Sequence, residues 1–168
     1  RNNITNQIHD RKKGYIKKIE NKIVVKESND LNVFYPILLD NKSRHQTKPT
    51  HTLEELKILM SNFPNDIKLL LSYYDNKVIG GALNFITNNN TCILFYNMID
   101  YEYKDLQTAS LQIYESLKWA KNFGLNYLDI GVSQLYEGDK IIPHESLINF
   151  KEQFGAKAMI RKVMKLKL

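Results

Sequence analysis

The stretch Lys68–Met98, KLLLSYY-DN-KVIGGALNFIT-NNN-TCILFYNM, decides the fold. Its three runs are rich in leucine, β-branched and aromatic residues, and the breaks between them, Asp75–Asn76 and Asn88–Asn90, are turn formers. Three antiparallel strands joined by tight hairpins follow: Lys68–Tyr74, Lys77–Thr87 and Thr91–Met98. On the N-terminal side, Lys22–Glu27 reads as a short β-branched strand, and Ser28–Asp30 supplies helix-capping side chains. Leu31, Phe34, Tyr35, Leu38 and Leu39 then repeat at helical spacing, with Pro36 predicting a bend. After a polar connection through Pro49, Thr52 and Glu55 form a capping box ahead of Leu53, Leu56, Leu59, Met60 and Phe63, and Pro64 closes that helix.

On the C-terminal side, Asp105 reads as the cap of a long helix from Leu106 to about Phe123, with Leu106, Ala109, Ile113, Leu117 and Ala120 on one face and Gly124 as its stop. A strand over Leu125–Val132, a helix over Ser146–Phe154 ended by Gly155, and a last strand over Ala158–Leu168 complete the pattern. The order is strand, two helices, three strands, helix, strand, helix, strand. It predicts an α/β (α+β) domain, a mixed and mainly antiparallel sheet with helices on both faces.

Composition bounds the rest. A chain of 168 residues, 43% hydrophobic and 25% charged, has the size and make-up of one globular domain. Apolar runs such as Ile93–Tyr96 fall far short of the roughly 20 residues that span a bilayer. The polar Arg1–Asp10 and basic Arg11–Lys18 lack the apolar core of a secretory signal, so a cytoplasmic protein is expected. A single cysteine, Cys92, forms no internal disulfide and reads as a small buried hydrophobe. The net charge of +6 suits a phosphate-bearing ligand: a coenzyme A, a nucleotide sugar, a tRNA or a lipid head group. The first residue is Arg1, and residues 1–21 read as a basic segment that could link to a preceding half. There and just after it, Arg11, Lys12, Lys13, Lys17, Lys18 and Lys22 read either as phosphate ligands or as a solvated helix face, the second being favoured.

Three stretches carry a family resemblance. They are Phe34–Leu39 with Arg44–His45 and Lys48–Leu56 (KPTHTLEEL), Lys77–Ala82 (KVIGGA), and Tyr127–Ser133 (YLDIGVS) with Leu147–Ala156 (LINFKEQFGA). Together they resemble the Fem-type (FemAB-like) branch of the GNAT acyltransferase superfamily, from about Arg11 onward. That resemblance implies two GNAT-like halves, of which this chain would be the C-terminal one, paired with a second half or as a homodimer. It also implies an N-acyltransferase that uses acetyl-CoA and an amine or nucleotide-sugar acceptor, such as an amino sugar of cell-surface polysaccharide. The alternatives it leaves are an aminoacyl-tRNA-dependent transferase of peptidoglycan precursors and a non-catalytic GNAT-like binding module. Two departures stand out. The Gly-x-Gly turn that binds coenzyme A is replaced by Tyr101–Ala109 (YEYKDLQTA), and Leu135–Glu145 carries Pro143-His144-Glu145 where relatives have an asparagine-rich turn.

The resemblance places a pantetheine arm on the backbone of Tyr96, Asn97 and Met98, and a pyrophosphate at the helix start with Gln107 and Thr108. Lys151 follows Phe150 as in Fem-type transferases, where it would steady an oxyanion; on composition alone it is a solvated helix lysine. Asp129 is a general base or the structural partner of a cation, with Glu145 and His144 as alternative bases. Arg44, His45, Ser133 and Phe150 fall on the acceptor side; His51 is there too, or is simple loop surface. No His, Cys and carboxylate spacing suggests a metal, and no Gly-x-Ser-x-Gly elbow suggests a covalent serine.

Overall fold

Unbroken burial along the central strands, over Leu69–Ser72 and Ile79–Asn84, with helical stripes before and after them, builds a sheet covered on both faces. In the computed structural model, which describes residues 4–138 and 140–159, a five-stranded sheet has the order β1-β2-β3-β4-β5. Strands β1 (Val24–Ser28), β2 (Ile67–Tyr74), β3 (Lys77–Asn88) and β4 (Thr91–Ile99) run antiparallel in turn, and β5 (Tyr127–Asp129) lies parallel to β4. Asp75 and Asn76, both at positive φ, make the tight turn between β2 and β3.

Helices α2 (Leu31–Arg44) and α3 (Leu53–Asn62) cover one face. Phe34, Leu38 and Leu56 there pack on Leu69, Leu71, Leu83 and Tyr96, all 0–1% exposed. The helix starts are capped as the sequence predicts: Asp30 accepts from the N–H of Asn32 and Val33, and Thr52 and Glu55 close a reciprocal box. Helix α2 runs on through Pro36.

The other face carries α1 (Asp10–Ile19) and α4 (Thr108–Asn122), which pack against each other and bury Ile16, Ile19, Leu111 and Ile113 over Leu70, Ile79, Ala82 and Leu94. Helix α5 (Glu145–Glu152) joins this side through Phe154 and stops before Gly155 at φ +77.

Three expectations change. Asp105 does not cap α4. It lies in a 3-10 turn, Tyr101–Leu106, whose first residues Asp100 caps, and α4 starts only after Gln107, whose left-handed φ of +51 breaks the helical path. The strand expected over Leu125–Val132 pairs only at Tyr127–Asp129. The segment beyond it, to which the sequence pattern assigns no element, forms a hairpin of β6 (Gln134–Glu137) and β7 (Lys140–Pro143). The last expected strand, Ala158–Leu168, falls from Ile160 on outside the described residues; Ala158 and Met159 have no regular structure.

Candidate active site

The site is built around β4. One of its edges is fully paired with β3, while the other meets β5 only at Thr91–Tyr127, Cys92–Leu128 and Ile93–Asp129. Among the described residues no strand lies beside that second edge from Leu94 onward, so its backbone groups are not engaged by a strand there and could hold an extended ligand. Within this stretch Phe95 is an extra residue: Leu83 pairs with Tyr96 and Asn84 with Leu94, and the bulge re-aims the side chains around it.

The local chemistry explains why β5 leaves β4. Asp129 Oδ1 accepts from the N–H of Gly131 at 2.7 Å, and Gly131 at φ +75 turns the chain. The Lys151 ammonium then donates to the carbonyls of Gly131 and Val132, both at 2.8 Å. Those two carbonyls belong to the segment that would otherwise continue the parallel ladder. Burial lowers the pKa of Lys151, and the charge of Asp129 opposes the shift. Lys151 therefore fastens the far lip of the opening to α5, and two of its three N–H groups are used in doing so.

On the α4 face, Asn97 reaches from the open stretch to the first turn of α4, its Nδ2 donating to the Ala109 carbonyl at 3.2 Å. Gln112 donates to Ser72 Oγ at 3.0 Å and to the Met98 carbonyl at 3.3 Å. Asn97 Oδ1 and Thr108 Oγ1 are buried without a hydrogen-bond partner among the described residues. The Gln107 side chain makes no cap, so no side chain closes the helix start. Open strand, orphaned polar atoms and uncapped helix lie together, and they fit an elongated ligand with amide and anionic groups.

The α2–α3 face presents an aromatic surface at the bulge. His51 stacks near Phe85 (6.3 Å between centroids, 20° between planes), tilts on Phe95 at 5.4 Å and stands edge-on to Tyr96 at 6.4 Å. The Tyr96 hydroxyl accepts from the N–H of Thr50 and lies 3.5 Å from His51 Nδ1, while the Tyr35 hydroxyl donates to the His51 carbonyl. These contacts hold the α2–α3 loop over β4. Tyr96 thus turns its side chain toward α2 and α3, and Asn97 turns its own toward α4.

The remaining candidates scatter. Arg44 is paired with Asp40 at 2.7 Å and lies 4.2 Å over the Tyr101 ring, and His45 is an exposed helix end. Glu145 is exposed at the start of α5, and His144 Nδ1 meets Ser146 Oγ. The Ser133 carbonyl accepts from the N–H of His144. Phe150 packs edge-on against Phe154, under the ammonium of Lys12. Lys12, only 6% exposed, departs from the solvated-face reading of the basic run, while Arg11, Lys17, Lys18 and Lys22 are exposed as that reading expects. The signal was in the sequence: Ile8, Lys12, Ile16, Ile19 and Ile23 recur at helical spacing, and all five are buried, although α1 itself spans only Asp10–Ile19. Phe85 and Phe95 had no such signal, because the bulge that brings them to His51 depends on pairing across β3 and β4.

Comparison with known proteins agrees with this geometry. A family model described as an acetyltransferase (GNAT) domain matches residues 15–140. No curated protein matches the sequence. Among solved structures, an aminoglycoside acetyltransferase from an uncultured soil metagenomic sample superposes with a TM-score of 0.62 at 14% identity, covering 89% of this chain and 98% of that one. A second aminoglycoside acetyltransferase, in complex with a bisubstrate analogue of CoA and acetylneamine, gives 0.60 at 14% identity over 87% and 98%. FemX gives 0.71 at 12% identity over 92% of this chain, which spans 56% of FemX. At these identities the likeness is one of fold.

Proposed function

This chain belongs to the GNAT acetyltransferase domain family, and from that premise we propose that it acetylates a primary amine at the open stretch of β4. The observation that carries the reading is the parting of β4 and β5 beyond Ile93 and Asp129, with the uncapped start of α4 beside it. An acetyl-CoA-type thioester, when bound, supplies the activated carbonyl. The backbone of Leu94–Asn97 holds its amide-bearing arm by strand-like hydrogen bonds, and Asn97 Oδ1 and Thr108 Oγ1 give that arm buried polar partners. Met98 and Gln107 border the same path.

The acceptor enters from the α2–α3 face. Phe85 and Phe95 offer ring faces to an ammonium, and the His51 imidazole, held edge-on to Tyr96, takes the proton as the amine becomes a nucleophile. Lys151 and Asp129 keep the lip apart, so that amine and carbonyl meet through the sheet. Glu145 lies outside this arrangement. Ser133, next to the carbonyls that Lys151 holds, borders the acceptor, for which an amino sugar is proposed, while Phe150 lies on the α1 side under the ammonium of Lys12. Arg44 and His45 lie at its outer margin.

The FemX-like fold favours one second reading, transfer from an aminoacyl ester of RNA. Incubation with acetyl-CoA or with aminoacyl-tRNA and a panel of amino sugars, followed by mass spectrometry, separates the two. An acetylated amine with matching thiol release is expected. Product from aminoacyl-tRNA alone would transfer the assignment to the second reading, and no product from either donor would overturn both.

A further inference from the structure

Helix α2 buries one stripe of residues, Leu31, Phe34, Leu38 and Asn41, and its last member is polar. An amide in such a place is costly unless it is hydrogen-bonded. Asn41, 7% exposed, uses both of its amide hydrogens: Nδ2 donates to the Ile37 carbonyl of its own helix at 2.8 Å and to the Ile99 carbonyl of β4 at 2.6 Å. Its Oδ1 accepts from the N–H of Ile99 at 3.3 Å. Carbonyls on one side and an N–H on the other leave the amide a single orientation. One side chain thus takes both backbone groups of a strand residue, as a residue of a neighbouring strand would.

The ladder of β3 and β4 tells which edge this is. The N–H of Asp100 donates to the Ile79 carbonyl, and the residue before it, Ile99, stands opposite Gly80. Residues of an antiparallel strand alternate between its two edges, so Ile99 turns its N–H and carbonyl away from β3. Asn97, opposite Ala82 and two residues earlier, does the same. This is the edge that β5 leaves after pairing with Ile93. The stretch that opens beyond Ile93 is therefore closed again at Ile99, by a side chain instead of a strand. Between the two outward-facing residues, the Met98 carbonyl accepts from Gln112 on the opposite face of the sheet.

We propose that Asn41 is a positioning residue, a register stop for the acyl donor on β4. The inference rests on the donor reading above. An extended ligand bonded to a strand edge can shift only in steps of two residues, about 7 Å, because the residues between face the other edge. Ile99 is the next step after Asn97, and with its N–H and carbonyl held by Asn41 that step is closed. The arm is confined to the backbone as far as Asn97, and the thioester carbonyl keeps one place along the strand. An apolar residue at position 41 would complete the stripe of α2, yet it would leave both backbone groups of Ile99 to the ligand.

Residue-resolved amide exchange of the whole chain, free and saturated with acetyl-CoA by calorimetry, tests this. In the wild type the Ile99 amide is already bonded to Asn41, so acetyl-CoA is expected to change its exchange by less than about twofold. Asn41→Ala opens the position. Without donor its Ile99 amide is expected to exchange about tenfold faster or more, and acetyl-CoA is expected to restore that protection as the arm reaches the next step. An Ile99 amide that stays fast in the folded variant with acetyl-CoA bound would overturn the inference, since Asn41 would then only hold the strand, and would leave the donor reading standing. So would an Ile99 amide in the donor-free variant as slow as in the wild type. A wild type that binds no acetyl-CoA would remove the donor reading and this inference together. If Asn41→Ala does not fold, Asn41→Ser, which opens the same space and keeps a hydroxyl for the Ile37 carbonyl, decides by the same outcomes.

Discussion

At the scale of single residues, the proposed reaction gives Lys151 a positioning part, away from the reacting atoms. With two N–H groups on the Gly131 and Val132 carbonyls, it is bound to the protein more than to solvent. Lys151→Ala should release the lip of β5, raising the donor KM and lowering kcat together, each by about tenfold. A fall of kcat alone, with donor affinity unchanged, would instead place the lysine on the reacting oxygen. His51 gives the opposite expectation. If His51 is the proton acceptor proposed above, it matters only to the chemical step, and His51→Gln should lower kcat/KM by about 10²–10⁴ with donor affinity unchanged, the usual range for a general base. Steady-state kinetics with calorimetry reads both, and a loss under threefold would return His51 to the loop surface.

At the scale of elements, the sheet works because β3 and β4 approach α4 closely at Gly80. A Cβ there would meet Gln112 Nε2 at 2.5 Å and the Met98 carbonyl at 2.6 Å. Gly80→Ala should therefore displace Gln112, cost about 1–3 kcal/mol by overpacking, and disturb the Met98 carbonyl of β4. Thermal unfolding should show the loss, and an unchanged midpoint would refute the close contact. The same strands show what sequence can reveal. The hairpins of Lys68–Met98, the Thr52–Glu55 box and the Gly155 stop were legible because each is a local pattern of residues next to one another. The early end of β5 was not, because it depends on Lys151, some twenty residues further on, taking the carbonyls of Gly131 and Val132. Asp105 misled for a related reason. It is a good capping residue, but Asp100 already caps the preceding turn and Gln107 breaks the path before α4 begins. The hairpin of β6 and β7 was hidden by short strands whose side chains are mostly exposed, which blurs the period-two signal.

At the scale of the whole molecule, the sheet separates two approaches to one opening. The face with α1 and α4 carries the uncapped helix start and the orphaned polar atoms. The face with α2 and α3 carries His51 and its aromatic neighbours. Among the described residues no helix is long and apolar enough to cross a membrane. The chain spans 56% of FemX. Amide hydrogen exchange with and without acetyl-CoA tests the central claim most directly, because it reports where a donor lies without needing the acceptor. Protection is predicted in peptides covering Leu94–Met98 and Gln107–Leu111, with β1 and β2 unchanged. Saturating acetyl-CoA that protects some other part of the chain and leaves Leu94–Met98 exchanging freely would contradict the account.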